Sequence, residues 1–412
     1  MKKISIIGGG IIGLCTAYYL SKEGFSVTLF DRSDLTDGCS HGNAGMIVPS
    51  HVIPLAQPGM IKQGIKWMFD NKSPFYVKPR LDKELLQWGW KFYKHANQKH
   101  VENAMPALRD LSLLSKELYR ELNRISDSFL YEERGLLMLY KSEKVGEEVI
   151  HEGELAENLG LKVDFLSKAE LTRLEKGTTV DAIGAVHYKS DAHLQPQKLV
   201  AFLFDEIEKS GGEIKRNCNV NDFVIEKGEV VEVITTQGNF KTDEVVIATG
   251  TWSPEIAKKI GSNLSLLPGK GYSFTLFNEK EKPSIPSILC EGKVAVTPMG
   301  DSIRYGGTME ITHTNDIKIK QNRLRGIVNT VNEFYPNLNV QMPNEENVWY
   351  GFRPCTPSGM PIITRDKKIK NVVFATGHAM MGLSLAPATG KIVAEIISEK
   401  PLSVSTKMFQ FV

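Results

Sequence analysis

The chain has 412 residues, 42% of them hydrophobic and 24% charged, which is the composition of a soluble globular protein long enough for two or three hydrophobic cores. Its formal net charge of +2 argues against nucleic acid as a main partner. The five cysteines are scattered without a CxxC pair, which favours reduced thiols over a disulfide framework or a zinc site.

The first twenty residues, MKKISIIGGGIIGLCTAYYL, combine a basic start with an apolar run, as a signal peptide does. Glycines interrupt the run, and no small-residue cleavage site follows before SKEGF. We find no apolar stretch of the roughly 18 residues needed to span a bilayer. These features predict an unprocessed, cytoplasmic protein.

Residues 3–7 (KISII) form a predicted buried strand that leads directly into Gly8, Gly10 and Gly13. Gly8 permits the tight strand-to-helix turn, Gly10 lets the backbone approach a pyrophosphate, and Gly13 lets the helix pack close to the sheet. A second strand, FSVTLF, ends at Asp31, which can accept hydrogen bonds from a ribose. An acid there would repel a 2′-phosphate and argues against NADP. The unit predicts a dinucleotide site, for FAD or for NAD.

Two later strands favour FAD. Residues 242–252 (TDEVVIATGTW) and 371–378 (NVVFATGH) both predict buried strands that end in Ala-Thr-Gly, similar to strands in the FAD-binding sheets of flavoproteins. An amphipathic helix over 197–212 precedes a strand whose end, at Val220, we expect near the adenine. A C-terminal helix is predicted from about Ser384, with its N-terminus aimed at the flavin pyrimidine.

Six stretches together carry a family resemblance: the N-terminal fingerprint, GCSHGNAGMIVPS followed by PLAQPG, PGKGYSFTL, TPMGDSIRYGGTME, GFRPCTPSGMP and TGHAMMGLSLAPATG. The chain resembles the FAD-dependent D-amino-acid oxidase/dehydrogenase family, most closely its bacterial D-amino-acid dehydrogenase branch of the small-subunit type. The resemblance covers nearly the whole chain and implies FAD as a non-covalent cofactor.

The fold that the resemblance implies is α/β, with a Rossmann-like FAD-binding domain of the glutathione-reductase type. An interleaved α+β substrate-binding domain is built on a mixed or antiparallel sheet. The implied boundaries are 1–55, 190–265 and 350–412 for the FAD-binding domain, and 56–189 and 266–349 for the substrate-binding domain.

A helix around 105–125 falls in the implied substrate-binding domain. Its apolar residues recur at helical spacing and predict a packed core stripe rather than a cofactor site. The stripe consists of Leu108, Leu111, Leu114, Leu118, Leu122 and Ile125.

The resemblance also implies a reaction, the oxidative deamination of D-amino acids, with D-proline or D-hydroxyproline as candidate substrates. Arg353, in a GxRP-type motif, would grip the substrate carboxylate through two parallel bonds while the Cα hydride passes to flavin N5, giving an imino acid. Tyr272 is a second catalytic candidate, and His378 and His51 are third. The alternatives are a glycine or sarcosine oxidase and a non-catalytic flavin-binding subunit.

The loop SHGNAG is implied to run beside the flavin ring. We expect Cys39, which precedes this loop, to be a small packed thiol, and His41, within the loop, to be a hydrogen-bonding histidine. Cys355 lies in the wrong register for covalent attachment of FAD. No metal is predicted, since the histidines show no paired spacing with a carboxylate. The expected cofactor-binding residues are Gly8, Gly10, Ile11, Ile12, Gly13, Asp31, Arg32, Ser40, His41, Asn43, Ala44, Gly45, Met46, Val220, Thr249, Gly250, Trp252, Gly377, His378, Met380, Met381, Gly382 and Leu383.

The electron acceptor stays open between a quinone and oxygen. Residues 60–80 (MIKQGIKWMFDNKSPFYVKPR) mix basic and aromatic side chains, which is compatible with a peripheral contact at the inner membrane. The alternative, a loop packed over the active site with solvated lysines, is favoured.

Overall fold

The computed structural model describes residues 1–36, 38–62, 75–78, 80 and 82–411. The segment 60–80, for which a membrane contact and a loop over the active site were considered, lies mostly outside these residues. The helices of the described part are α1 (Ile11–Lys22), α2 (Lys83–His95), α3 (Gln98–Ile125), α4 (Glu143–Asn158), α5 (Lys168–Leu174), α6 (Pro196–Lys209), α7 (Ser253–Lys259), α8 (Gln321–Phe334) and α9 (Gly382–Ile397).

The strands follow in chain order between these helices. They are β1 (Lys3–Ile7), β2 (Ser26–Phe30), β3 (Met46–Ile47), β4 (Phe75–Val77), β5 (Leu136–Tyr140), β6 (Val163–Ser167), β7 (Gly184–Tyr188), β8 (Ala192–His193), β9 (Glu213–Lys215), β10 (Val220–Glu226), β11 (Glu229–Thr235), β12 (Gly238–Lys241), β13 (Glu244–Ile247), β14 (Leu267–Phe277), β15 (Ser287–Leu289), β16 (Val294–Met299), β17 (Ser302–Ile311), β18 (Val348–Cys355), β19 (Ile362–Arg365) and β20 (Val372–Thr376).

A mainly parallel sheet has the strand order β19-β20-β13-β1-β2-β9, with β19 the antiparallel member. Side chains alternate between its two faces, as they must in a strand. Ile6 packs in a core with α1, α6 and α9, whereas Ile7 packs in a second core with the antiparallel sheet β10-β11-β12. The parallel sheet is therefore buried on both faces, which explains its nearly continuous apolar strands.

A larger mixed sheet has the order β18-β14-β17-β16-β15-β5-β7-β6, with β4 paired to β17. Its pairs are antiparallel except β15 with β5 and β17 with β4. Helix α8 packs against this sheet through Leu324, Ile327 and Val331. A Rossmann-like parallel sheet beside a mixed sheet confirms the predicted fold class. The predicted domain boundaries stay a prediction.

Helix α3 shares the core of the parallel sheet. Its predicted stripe is buried at Leu108, Leu111, Leu118 and Leu122, and the Tyr119 hydroxyl donates to Leu383 O at 2.6 Å. The last residue of the predicted stripe, Ile125, is not part of the core, because it lies in the final turn of the helix and is 55% exposed.

The C-terminal helix begins at Gly382, two residues before the predicted Ser384, after a short 3-10 turn over Ala379–Met381. By length and composition the segment Ala379–Ile397 could cross a membrane, contrary to the expectation that no stretch could. However, 72% of its apolar window is buried inside the protein.

Candidate functional site

A cavity of 2110 Å³ opens where the carboxyl ends of β1 and β2 meet the face of the larger sheet. Ligands bind at this edge of open parallel sheets. Residues 8–12 and Asp31 form one end of the cavity, which we call the glycine end. Arg353 and Thr308 line another part, which we call the arginine end, and His51 also lines the cavity.

The glycine end is made by close backbone packing. Gly8 has φ +103°, and a Cβ there would lie 2.6 Å from Ala248 O. A Cβ on Gly13 would lie 1.9 Å from Gly8 O, so only glycine lets α1 approach the turn. Gly10 is the N-cap of α1, and the first turn of the helix faces the cavity. This geometry suits a pyrophosphate, as predicted.

Asp31 fixes the turn from the end of β2. Its Oδ2 accepts from Gly9 N at 2.7 Å, and its Oδ1 accepts from Ser33 N and Oγ at 2.8 Å each. Beside it, the Arg32 guanidinium lies 4.0 Å from the centroid of the Trp252 ring. Asp31 therefore shapes the glycine end in addition to any contact with a ribose.

The loop from Ser40 to Gly45 is held from both sides. Ser40 Oγ accepts from Ile11 N at 2.9 Å, which ties the loop to the start of α1. From the larger sheet, Arg304 Nη1 donates to His41 O and Asn43 O, both at 2.7 Å. Burial lowers the pKa of Arg304 to about 10. The loop is thus a rigid strip of the cavity wall.

Arg353, on β18, points along the cavity face of the larger sheet. Its Nη1 donates to Thr308 O at 2.7 Å, and a Cβ on Gly271 would lie 2.1 Å from the same nitrogen. Burial lowers the pKa of Arg353 from its ordinary value, with Cys355 and Cys39 opposing. In the described part of the chain no carboxylate pairs with this guanidinium, so its remaining N–H groups can serve a ligand anion.

Thr308 has φ +61°, a left-handed conformation that a β-branched residue rarely adopts. It lies where the register between β14 and β17 shifts, between the pairs Lys270–Glu310 and Tyr272–Gly307. The irregularity aims the Thr308 carbonyl at Arg353. Strain of this kind, of order 1–3 kcal/mol, is concentrated at functional sites.

Tyr272 does not take the predicted place near Arg353. In the register of β14 with β18, Gly271 pairs with Gly351 and lies on the same sheet face as Arg353, so Tyr272 points to the opposite face. There it is 1% exposed, and its hydroxyl donates to Lys318 O at 3.4 Å. Strand alternation therefore corrects only the placement of this hydroxyl beside Arg353. Tyr272 still lines the cavity, and its contact with substrate stays a prediction.

His378 is held by the C-terminal helix. Its Nε2 lies 3.0 Å from Thr389 Oγ1, and that hydroxyl donates to Leu385 O at 2.9 Å. Burial lowers the pKa of His378 to about 3, so the ring is neutral. This placement fits a packing role. The ring also lines the cavity, and its contact with substrate or flavin stays a prediction.

His51 follows the short strand β3 and lines the cavity. Its Nδ1 lies 3.1 Å from Ser50 Oγ. Burial, with a smaller contribution from Lys293, lowers its pKa to about 4. The other ring nitrogen of His51, Nε2, belongs to a ring that lines the cavity.

Nearly all predicted site residues line this one cavity, although they come from distant parts of the chain. Gly13, Gly45 and Gly377 are the exceptions, since they do not line the cavity and instead allow close packing of the backbone around it. A Cβ on Gly45 would lie 2.3 Å from Leu194 O, and one on Gly377 would lie 2.5 Å from Thr356 Cγ2.

Two cysteines differ in exposure. Cys39 is exposed, with its Sγ 3.5 Å from Phe352 O, so the prediction of a packed thiol is wrong. Cys355 is buried, and burial raises the pKa of its thiol to about 12. The deprotonated form that covalent attachment requires is therefore strongly disfavoured at Cys355.

Sequence reasoning missed the residues that support the site from behind. Thr308 and Gly271 lie in quoted motifs, but only the sheet register shows that they touch Arg353. Arg304, also in a motif, carried no local signal for its contact with the loop. Ser50 and Asp191 were missed because they are 141 positions apart.

The family model described as "DAO: FAD dependent oxidoreductase" matches residues 3–396. A D-amino acid dehydrogenase of Helicobacter pylori is 31% identical over 396 residues, covering 96% of this chain and 94% of the relative. A D-amino acid dehydrogenase of Vibrio atlanticus is 31% identical over 405 residues, covering 96% of each chain.

Solved structures share the fold. A glycine oxidase from Geobacillus kaustophilus superposes with a TM-score of 0.78 at 19% identity, covering 100% of this chain and 99% of that one. An L-proline dehydrogenase from P. horikoshii superposes with a TM-score of 0.75 at 20% identity, covering 99% and 96%.

Proposed function

Because the chain belongs to the DAO family of FAD-dependent oxidoreductases, we propose that it oxidises D-amino acids to imino acids. The D-amino acid dehydrogenases among its relatives support the substrate class. D-Proline and D-hydroxyproline are the preferred candidates within that class, since their secondary amines can be oxidised in the same way.

The residues of the cavity fit FAD. The glycine end offers backbone for a pyrophosphate, and a Cβ on Gly8 or Gly13 would clash with the backbone that shapes it. The strip from Ser40 to Gly45 leaves small side chains and backbone along the wall. The cavity volume of 2110 Å³ exceeds the roughly 300–1,000 Å³ of ordinary small-molecule sites, as an extended dinucleotide with a second ligand requires.

The observation that carries the proposal is the Arg353 guanidinium. It is a half-buried cation that lines the cavity, and in the described residues it is satisfied by one neutral carbonyl, Thr308 O. A half-buried charge of this kind is stabilised by a ligand of opposite sign. A carboxylate matches the planar fork of the guanidinium through two parallel hydrogen bonds.

FAD, when bound, supplies the oxidant and accepts the Cα hydrogen with its electron pair. The chain supplies position. Arg353 holds the carboxylate, Thr308 O holds Arg353, and Gly271 leaves room for the guanidinium against the sheet. Because these residues position the substrate and do not exchange protons with it, orientation accounts for most of the rate enhancement that they provide.

Two other functions remain open to test. A glycine or sarcosine oxidase has the same requirement for a carboxylate clamp, and glycine oxidases are among the structures with this fold. A non-catalytic flavin-binding subunit has no use for an arginine held in the cavity by a strained residue. The second alternative is therefore disfavoured by Arg353 and Thr308.

The test uses the purified flavoprotein without oxygen. Paired D- and L-amino acids, glycine and sarcosine are added in turn, and the flavin absorbance is followed. Bleaching by D-amino acids alone is expected. Bleaching by glycine or sarcosine alone would establish the oxidase alternative, and no bleaching by any amine would contradict enzymatic amine oxidation. Reoxidation of the bleached protein by oxygen or by a soluble quinone then distinguishes the two proposed electron acceptors.

A further inference from the structure

A buried carboxylate beside Ser50, the residue that precedes His51, has no part in the function proposed above. Asp191 is 0% exposed, and its carboxylate accepts twice from Ser50, from N to Oδ1 at 3.1 Å and from Oγ to Oδ2 at 2.5 Å. The nearby Lys116 bonds instead to Ser190 O at 2.7 Å and pairs with Glu133 at 2.8 Å. A buried carboxylate without an ion pair in the described residues is costly, which points to a use for it.

Ser50 connects this carboxylate to His51. The Ser50 Oγ lies 3.1 Å from His51 Nδ1. A hydroxyl has one proton, and since Ser50 donates it to Asp191, the oxygen accepts from His51 Nδ1–H. His51 Nε2 is then the unprotonated nitrogen, on a ring that lines the cavity. The three residues form an ordered chain of donors that ends in an acceptor at the cavity.

We propose that His51, Ser50 and Asp191 form a proton relay that takes one proton from the ammonium group of the substrate. The relay rests on the proposed function, because it acts on the amine that is oxidised. An N–H bond of the ammonium breaks as His51 Nε2 gains the proton. His51 Nδ1–H passes its proton to Ser50 Oγ, and the Ser50 hydroxyl proton passes to Asp191 Oδ2. The amine keeps its electron pair, which assists departure of the Cα hydride.

The position of His51 fits this role. Its segment continues to Leu55, which packs in one cluster with Cys355, two residues beyond Arg353. The residue that would hold the carboxylate and the residue that would take the amino proton thus line the same cavity. An α-amino acid carries both groups on a single carbon, so the relay requires that one bound substrate molecule contacts both residues.

The charges around the relay set its direction. Burial, with a smaller contribution from Lys293, lowers the pKa of His51 to about 4. Burial raises the pKa of Asp191 to about 7, opposed by its bonds with Ser50 and by Lys116, and Tyr188 also faces the carboxylate. Because the pKa of Asp191 is higher than that of His51, the proton passes through the His51 imidazole and remains on the Asp191 carboxyl group. Release to solvent follows when the product leaves.

The experiment compares His51→Gln, Ser50→Ala and Asp191→Asn with the wild type as flavin-loaded proteins. The limiting rate of anaerobic bleaching by a D-amino acid is measured by stopped flow between pH 6 and pH 9 (values chosen around the roughly neutral range where histidine relays work). Each variant is expected to bleach about 100-fold more slowly at neutral pH, with a rate that rises roughly tenfold per pH unit as free amine accumulates. His95→Gln is the matched control, since His95 Nδ1 contacts Lys91 O at 2.7 Å within α2 and the ring does not line the cavity.

Flavin content and melting temperature show whether each variant is folded. If Asp191→Asn does not fold, Ser50→Ala still tests the relay, because it removes the connecting hydroxyl and retains His51 and Asp191. A second readout does not depend on turnover: ¹⁵N NMR of His51 should show a protonated Nδ1 and an unprotonated Nε2, and Ser50→Ala should remove this preference. Wild-type pH profiles in all three variants, or a change in His51→Gln alone, would overturn the relay while leaving the proposed function intact. A wild type that no amino acid bleaches counts against the proposed function itself.

Discussion

The glycine end and the arginine end of the cavity are built differently. The glycine end is backbone: its shape depends on missing Cβ atoms at Gly8 and Gly13 and on one carboxylate that holds the turn. The arginine end is made of side chains, delivered by strands that pair only in the folded sheet. The comparison teaches that a single added methyl should destroy one end, whereas removal of a whole side chain should disable the other and leave the fold intact.

The largest effect is expected from Gly13→Ala at the glycine end. The new Cβ would lie 1.9 Å from Gly8 O, which is backbone and cannot give way. We expect a loss of about 3 kcal/mol or more in the free energy of unfolding and no retained FAD. Thermal unfolding and flavin absorbance measure both. Gly89→Ala is the control, because a Cβ at Gly89 meets nothing within 4 Å, and a folded, yellow Gly13→Ala protein would refute the comparison.

Arg353→Ala at the arginine end should act in the opposite way. We expect KM for the amino acid to rise about 100-fold or more, because roughly 3 kcal/mol of charge-assisted hydrogen bonding is lost. Flavin content and melting temperature should stay near those of the wild type. Arg353→Lys, which keeps the charge without the fork, should lie between the two. A KM within a few-fold of the wild type would remove Arg353 from the site.

Arg304 joins the two ends and should show an intermediate effect. Arg304→Met leaves His41 O and Asn43 O without their donor, so the loop should loosen. We expect FAD to bind about tenfold more weakly, corresponding to about 1.4 kcal/mol. The dissociation constant of FAD from the apoprotein measures this. Arg120→Met, which removes a more exposed arginine paired with Glu133, is the control and should leave the constant unchanged.

The smallest effect concerns pH and stability. Burial raises the pKa of Asp191 to about 7, above the ordinary value of about 3.9. Between these values the folded protein holds a proton that the unfolded chain has lost. The stability from this group is therefore present below about pH 4 and is lost as the pH rises through about 7.

Asp191→Asn removes that loss. Relative to the wild type, the variant should gain on the order of 2 kcal/mol between mildly acidic and mildly alkaline pH, in thermal unfolding measured across this range. The lowered pKa of His51 has the opposite effect, because it makes the folded protein less stable as the pH falls below about 6.5. Both the wild type and Asp191→Asn contain His51, so the difference between their free energies of unfolding isolates the effect of Asp191. A difference independent of pH would mean that Asp191 keeps an ordinary pKa.

The glycine end could be predicted from sequence because its parts are close together in the chain. Gly8, Gly13 and Asp31 form one strand-helix-strand unit, and the physical role of each follows from local geometry. Arg353 could be predicted from its motif, although its partner could not. No feature of the neighbouring sequence predicts that Thr308 has φ +61° or that its carbonyl accepts a hydrogen bond from Arg353.

The arginine end could not be predicted in full because its contacts depend on register and on long sequence separations. A one-residue step along β14 separates the cavity face at Gly271 from the opposite face at Tyr272, and the sequence does not say which is which. Ser50 meets Asp191 across 141 positions and Arg304 meets His41 across 263. Pairings of this range are decided by the tertiary fold.

The parallel sheet combines strands from the beginning and the end of the chain, so it can be completed only late in synthesis. β1 emerges early from the ribosome, but its neighbour β13 pairs on its other side with β20, at residues 372–374. At about 5–20 residues per second, roughly 20 to 70 s separate the synthesis of the glycine turn from that of this strand. Until then the apolar strand KISII has no complete sheet to join. The nascent chain must therefore be kept from aggregating during most of its synthesis, and cofactor capture is a late event in the life of the polypeptide.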